Sequence, residues 1–247
     1  MPRRGVRLDV RLLELGLEQT RARAQARIRA GEVRLGDRVL DKPGSLVAAD
    51  AVLTLAERSP YVSRGGEKLA GALAAFNLDP SGLRCADVGA STGGFSDCLL
   101  QRGAASVMAI DVGFGQLDLR LREDPRVSVR ERTNVRHFEL DAAEEPFDLV
   151  TADLSFISLR KVLPRLGALV RPGGWLLLLV KPQFELARCD VGKGGVVRDP
   201  EKRHEASRLV RSAAESRGLV FVAESESLLP GPKGNRERFL LLRQPER

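Results

Sequence analysis

Apolar residues at Val6, Leu8, Val10, Leu12, Leu13 and Leu15 fit one face of a short helix that ends at Gly16. A second helix is expected behind Thr20, a suitable N-cap, running to Gly31 with Ala22, Ala26 and Ile28 facing inward. "VRLGDRVLDKPGSLVAADAVLTL" then alternates apolar and polar positions around Gly-Asp and Pro-Gly turns, as short strands do. From residue 84 the rhythm changes. Strand-like runs such as "RCADVGAS", "SVMAIDVG", "VSVRERT", "FDLVTADLSF" and "GWLLLLVKP" alternate with helical ones such as "GFSDCLLQRG", "QLDLRLRED" and "LRKVLPRLGALV". That alternation predicts a parallel sheet with helices on both faces. After a helix at "PEKRHEASRLVRSAAESRG", the runs "LVFVAESES" and "RERFLLLRQ" are separated only by "LLPGPKGN", so these two strands must pair antiparallel. The pattern divides the chain into a small α+β domain over 1–58, a linking segment over 59–83, and an α/β domain over 84–247.

Charge sharpens the division. The 247 residues carry a net charge of +7, and residues 1–60, with twelve Lys/Arg and eight Asp/Glu, hold +4 of it. A polyanionic partner suits that end of the chain. Three widely spaced cysteines and two histidines give neither a disulfide framework nor a metal-ligand cluster, so no metal is expected. The longest strongly apolar stretch, "WLLLLV", falls far short of a membrane span, and the N-terminus lacks the apolar core of a secretory signal. A cytoplasmic protein without membrane contact is expected; its oligomeric state is not legible.

Arg21, Arg23, Arg27, Arg29 and Arg34 fall within fourteen residues that contain one acid, Glu32. Helix, turn, helix and a glycine-centred hairpin with arginines leading the second helix resemble the S4 RNA-binding domain. The resemblance implies recognition of structured RNA by shape and backbone contacts, with Arg7, Arg21, Arg23 and Lys42 as the contacting cations.

A parallel sheet finished by an antiparallel hairpin is the arrangement of class I (Rossmann-like) methyltransferases. "DVGASTGGF" places glycines at 89, 93 and 94 between a strand and a helix, where backbone can approach a ligand closely or helices can simply pack. Asp111 ends the next strand, seventeen residues after Gly94, where an acid can accept from two ribose hydroxyls. The resemblance implies S-adenosylmethionine held by Asp87, Gly89, Ser91, Thr92, Gly93, Gly94 and Asp111. Asp153 and Lys181 close two further strands and Glu237 opens the last, so all three are expected at one crevice, with Lys68 supplied from the linking segment.

"SRGGEKL", "DVGASTGGF", "ERTNVR", "DLSFIS", "VKPQFE", "GGVVRD" and "GPKGN" resemble, in order and nearly end to end, the hemolysin A-like S4-domain ribosomal RNA 2′-O-ribose methyltransferases, whose catalytic part is FtsJ-like. That family's Lys-Asp-Lys-Glu tetrad falls on Lys68, Asp153, Lys181 and Glu237. A ribose hydroxyl, a poor nucleophile, needs a base or a cation that stabilises the forming alkoxide, and Lys181 is the expected contact. The implied partners are ribosomal RNA or ribosomal subunits, with cytidine as the target. Longer members continue with an additional C-terminal segment beyond the last strand, which leaves open whether one subunit or both are modified. Two other readings compete: a non-catalytic RNA-binding ribosome assembly factor with a relic methyltransferase domain, and a nicotinamide-dependent oxidoreductase. The second lacks a good pyrophosphate loop and gives the basic module no task. Phe156 fits the lining of the adenine or substrate pocket or plain core, and the basic loop with Lys193 and Arg198 fits either closure over RNA or a solvated loop.

Overall fold

The computed structural model of the chain describes residues 5–29, 31–36, 38–55, 59–231 and 233–246. These form two compact units that divide at Ser59/Pro60. The boundary expected after residue 58 adjoins Ala56, Glu57 and Arg58, and the expected Gly-Asp turn includes Asp37; these four lie outside the described residues.

The first unit runs β1 (Val6–Arg7), α1 (Leu8–Glu14), α2 (Arg21–Arg29), β2 (Val33–Leu35), β3 (Arg38–Leu40), β4 (Leu46–Val47) and β5 (Leu53–Leu55). Val6, expected on the first helix, instead pairs antiparallel with Val47. β2 lies between β3 and β5, antiparallel to both. Leu8 and Leu12 of α1 pack on Ala24 and Ile28 of α2 and on Val33, Leu40, Val47 and Leu53. The inward stripe of α2 is therefore Ala24 and Ile28, whereas Ala22 and Ala26 are exposed. The rotation has a polar cause, because Arg21 and Gln25, one turn apart, are both drawn to a buried acid on α1, Asp9.

The second unit begins at Pro60 and opens with α3 (Arg64–Ala75), which lies within the expected linker and entry segment. Leu69, Ala72 and Leu73 are its buried apolar face. The rest comprises β6 (Arg84–Val88), α4 (Gly94–Gln101), β7 (Ser106–Ile110), α5 (Leu119–Arg122), β8 (Val127–Arg130), β9 (Phe147–Ala152), α6 (Leu163–Leu169), β10 (Val170–Val180), α7 (Pro182–Glu185), α8 (Pro200–Glu215), β11 (Val220–Glu226) and β12 (Arg238–Arg243). One seven-stranded sheet runs β11-β12-β10-β9-β6-β7-β8. The pairs from β10 to β8 are parallel, and β12 inserts antiparallel between β10 and β11, as the short 227–237 connection requires. Leu176 and Leu178 of β10 face one core and Leu177 and Leu179 the other, which explains the unbroken apolar run of a doubly covered strand.

The chain passes from β6 outward to β7 and β8, then returns to β9 on the other flank of β6. Loops after β6 and β9 diverge there, and ligands bind at such a switch point.

Candidate active site

A cavity of about 460 Å³ opens at that switch point. Gly89 forms its floor with φ +87°; a Cβ there would stand 2.5 Å from the Asp153 carbonyl oxygen, so no other residue fits. Asp111, just past β7, accepts from the Ser91 N–H at 2.8 Å and the Gly113 N–H at 2.6 Å. These bonds hold its carboxylate at the wall in a set orientation. Gln116, Asn134 and Phe156 complete the lining that matters here.

The other residues of the glycine loop have different tasks. Asp87, Thr92, Gly93 and Gly94 do not line this cavity. Asp87 is fully buried, and its Oδ2 accepts from Ser96 N at 2.9 Å and Ser96 Oγ at 2.7 Å, tying the strand to the first turn of α4. Burial pushes its carboxyl up to about 7; the Ser96 hydroxyl opposes the rise and nearby Asp153 adds to it. The exposed Thr92 accepts the Asp118 N–H on its carbonyl. A Cβ on Gly93 would collide with Leu117 and Leu121, and one on Gly94 with Ser63 and the Gly65–Gly66 backbone. Gly94 thus abuts Gly65 and Gly66 where α3 meets α4, and this contact is what "SRGG" serves. It sets the depth at which α3 lies, and so the position of Lys68 one turn after Arg64.

Lys68 is buried, and its Nζ meets Glu237 Oε2 at 2.5 Å. Lys181 Nζ lies 2.5 Å from Asp153 Oδ1 and donates to Ser155 Oγ at 2.9 Å. Burial drives the Glu237 carboxyl above its ordinary value; Lys68 and then Lys181 pull against this, and Asp153 pushes with it. Two cations and two anions therefore act on one another across a single crevice, each delivered by a strand end or by α3.

A second cavity, about 320 Å³, is walled by Lys181, Glu237, Asn235, Phe184, Ser155 and Phe156. It shares Ser155 and Phe156 with the first, so the two are lobes of one crevice with Lys181 and Asp153 at the junction. Phe156 is 93% exposed, adopts φ +66° and lies 5.5 Å from the Phe184 ring. A bulky residue in the left-handed region costs about 1–3 kcal/mol, and such strain clusters at functional sites.

Residues beyond the expected set hold these loops. Glu185, buried, accepts from Ser158 Oγ at 2.6 Å and Leu159 N at 2.7 Å, clamping "DLSFIS" to "VKPQFE". Asn235, also buried, accepts from Val197 N at 2.9 Å and donates to Gly195 O at 2.8 Å, joining "GGVVRD" to "GPKGN". Lys193 and Arg198 project from that loop, exposed.

In the first unit, Arg7 and Arg21 both bind Asp9, whereas Arg23 donates to Gln19 Oε1 at 3.2 Å and does not join them. Lys42 is exposed on the turn ending at Ser45.

The FtsJ-like methyltransferase family matches residues 61–244, the unit that carries the whole crevice. The chain belongs to the FtsJ-like methyltransferases. Residues 6–53 match the S4 domain. The chain is 48% identical to the 16S/23S rRNA (cytidine-2'-O)-methyltransferase TlyA of Mycobacterium tuberculosis, over 97% of this chain and 90% of that protein. It is 36% identical to Hemolysin A of Brachyspira hyodysenteriae, covering 94% and 97%. A solved hemolysin candidate from Streptococcus thermophilus matches with TM-score 0.77 and 38% identity, over 99% of this chain and 90% of that one. Within the FtsJ-like methyltransferases, the chain therefore falls among the S4-domain, hemolysin A-like members.

Proposed function

We propose that the protein methylates the 2′-hydroxyl of a cytidine in ribosomal RNA, with S-adenosylmethionine as methyl donor. The observation that carries this reading is Lys181, whose Nζ is held by Asp153 and Ser155 where the two lobes of the crevice join. The first lobe fits the donor: its volume is that of a cofactor pocket, Gly89 and Ser91 bring the loop after β6 to its lining, and Asp111 offers a charged acceptor suited to ribose hydroxyls. When bound, S-adenosylmethionine supplies a methyl group on a good leaving group, so the protein's task is chiefly alignment. Gly89, Ser91 and Asp111 would hold the nucleoside part. Phe156 and Phe184 offer apolar faces for the target nucleoside in the second lobe.

At the junction, the Lys181 ammonium stabilises the negative charge that grows on the ribose oxygen as its proton passes to solvent water and the oxygen takes the methyl group from the sulfonium. Asp153 fixes the direction of that ammonium. Lys68 and Glu237 neutralise each other behind it and keep the wall of the crevice in place. The 48% identity to a protein named for cytidine 2′-O-methylation supports the choice of nucleoside and position.

Incubation of purified 30S and 50S subunits with labelled S-adenosylmethionine, followed by mapping of the modified nucleotide, tests the reading. Label on a cytidine 2′-oxygen is expected. Label on a base, or RNA binding without transfer, would overturn it, and the latter result would favour an assembly factor.

A further inference from the structure

We propose that Asp9 joins Arg7 and Arg21 into one preorganised fork for an RNA phosphate, so that a buried negative charge strengthens the binding of a polyanion. The inference rests on the reading that the first unit recognises RNA. Asp9 is fully buried, yet its two oxygens receive four hydrogen bonds. Arg7 binds through Nε and Nη2, each at 3.0 Å, Arg21 through Nε at 2.9 Å, and Gln25 through Nε2 at 2.8 Å. Both guanidinium groups meet at Oδ2. Their side chains are 46% and 54% exposed against 0% for the acid, so what reaches solvent is cationic. Among the described residues, neither Nη1 of Arg7 nor either Nη of Arg21 has a hydrogen-bond partner. Those free edges are the ones a phosphate would take, two N–H groups at a time.

The surrounding backbone keeps the pair in place. Leu8 N donates to Ser45 O at 2.8 Å and Asp9 N to Pro43 O at 3.1 Å, which brings the Lys42–Ser45 turn against Arg7. Gly44 is the residue that faces Arg7 Nη1; a Cβ there would stand 3.4 Å away. Lys42, which starts the same turn, is exposed. Arg23, two residues from Arg21, points to another side of α2, and its bond to Gln19 leaves it outside the fork.

Long cationic side chains lose rotamer freedom when they bind, and two arginines already fixed by a shared carboxylate have less to lose. This opposes the simple charge expectation. Replacing an acid beside two arginines raises the local positive charge, so charge alone would leave RNA binding unchanged or tighter.

Filter binding of full-length protein to end-labelled 16S and 23S ribosomal RNA across a salt series separates the two. Asp9→Asn is expected to bind about tenfold more weakly, the size of effect expected when two immobilised side chains are released. In an Arg7→Ala/Arg21→Ala background the same change should cost nothing further. Unchanged or tighter binding by Asp9→Asn would overturn the proposal, as would an equal loss in both backgrounds, which marks a purely structural tie. If Asp9→Asn does not fold, Arg7→Lys/Arg21→Lys serves: charge and salt slope are retained, but the fork is lost and affinity should fall. Parent-like affinity in that variant would likewise refute the fork. Failure of the parent itself to bind either RNA would instead remove the underlying assignment of RNA recognition, and the fork with it.

Discussion

Lys68 and Glu237, 169 residues apart in the chain, meet at 2.5 Å with side chains only 8% and 1% exposed. Glu237 Oε1 has no hydrogen-bond partner among the described residues, so Lys68 is what makes the charge tolerable there. Breaking a buried pair by removing one partner costs about 3–5 kcal/mol. Lys68→Met should show that loss in urea denaturation at about pH 8. The sign of its pH dependence follows from burial, which holds the Glu237 carboxyl above its ordinary value. A raised carboxyl carries no penalty while both states are protonated and destabilises the fold as pH rises through its range. The deficit should therefore shrink towards about pH 4, and Lys68→Met/Glu237→Gln should recover much of it at pH 8. An equal deficit at both pH values would show that Glu237 does not carry the charge.

Asp87 presents a second titration. Its carboxyl, pushed up to about 7 by burial, has Oδ1 without a partner among the described residues. The unfolded chain ionises this group at the ordinary carboxylate range, so stability should fall as pH rises from about 4 to about 7. Asp87→Asn keeps an acceptor for Ser96 and cannot ionise. Its stability relative to the parent should improve between about pH 5 and pH 8, measured by denaturant titration; parallel pH profiles would refute the shift.

Lys181 and Asp111 should separate chemistry from binding. Lys181→Met is expected to slow single-turnover methyl transfer by about 10²–10³, the cost of one transition-state contact, with cofactor affinity by calorimetry unchanged. Asp111→Asn should do the reverse. A hydrogen bond to a charged acceptor contributes about 1.5–3 kcal/mol, so affinity should drop about tenfold or more, with turnover at saturating cofactor largely kept.

Phe156 combines exposure with a left-handed backbone. Phe156→Gly relieves that strain and loses little packing, so the melting temperature should hold or rise. The KM for RNA should rise as well, because the aromatic wall of the second lobe is gone. A lower melting temperature would mean that the contact with Phe184 outweighs the strain.

The sheet and its chemical edge were legible because both are local. Apolar runs stop at Asp153 and Lys181, the last one starts just after Glu237, and a short connection forces β11 and β12 to pair antiparallel. What a glycine approaches is not local: "STGG" announces close contact, but only the folded chain shows that Gly93 packs on Leu121 and Gly94 on α3. Asp9 reads as the polar face of a helix until Arg21 and Gln25, 12 and 16 residues on, close over it. Glu185 and Asn235 stayed hidden for the same reason, since each pins a loop 26 to 40 residues away.

The division of labour between the units gives the last prediction. Residues 60–247 hold both lobes of the crevice, all four charged groups at it, and the buried faces of α3 and the sheet. Deleting residues 1–59 should therefore leave a fragment that binds S-adenosylmethionine with parent-like affinity in calorimetry. Its methylation of ribosomal subunits should fall steeply at low RNA and recover in part as RNA is raised, because recognition is lost while Lys181 and Asp153 are kept. The residual binding should also depend less on salt, by up to about one phosphate equivalent for each contact removed with Arg7, Arg21 and Lys42. Loss of cofactor binding would show that the first unit supports the crevice itself. An unchanged KM for RNA, with an unchanged salt slope, would place recognition in the second unit, where the exposed Lys193 and Arg198 would be the next cations to replace.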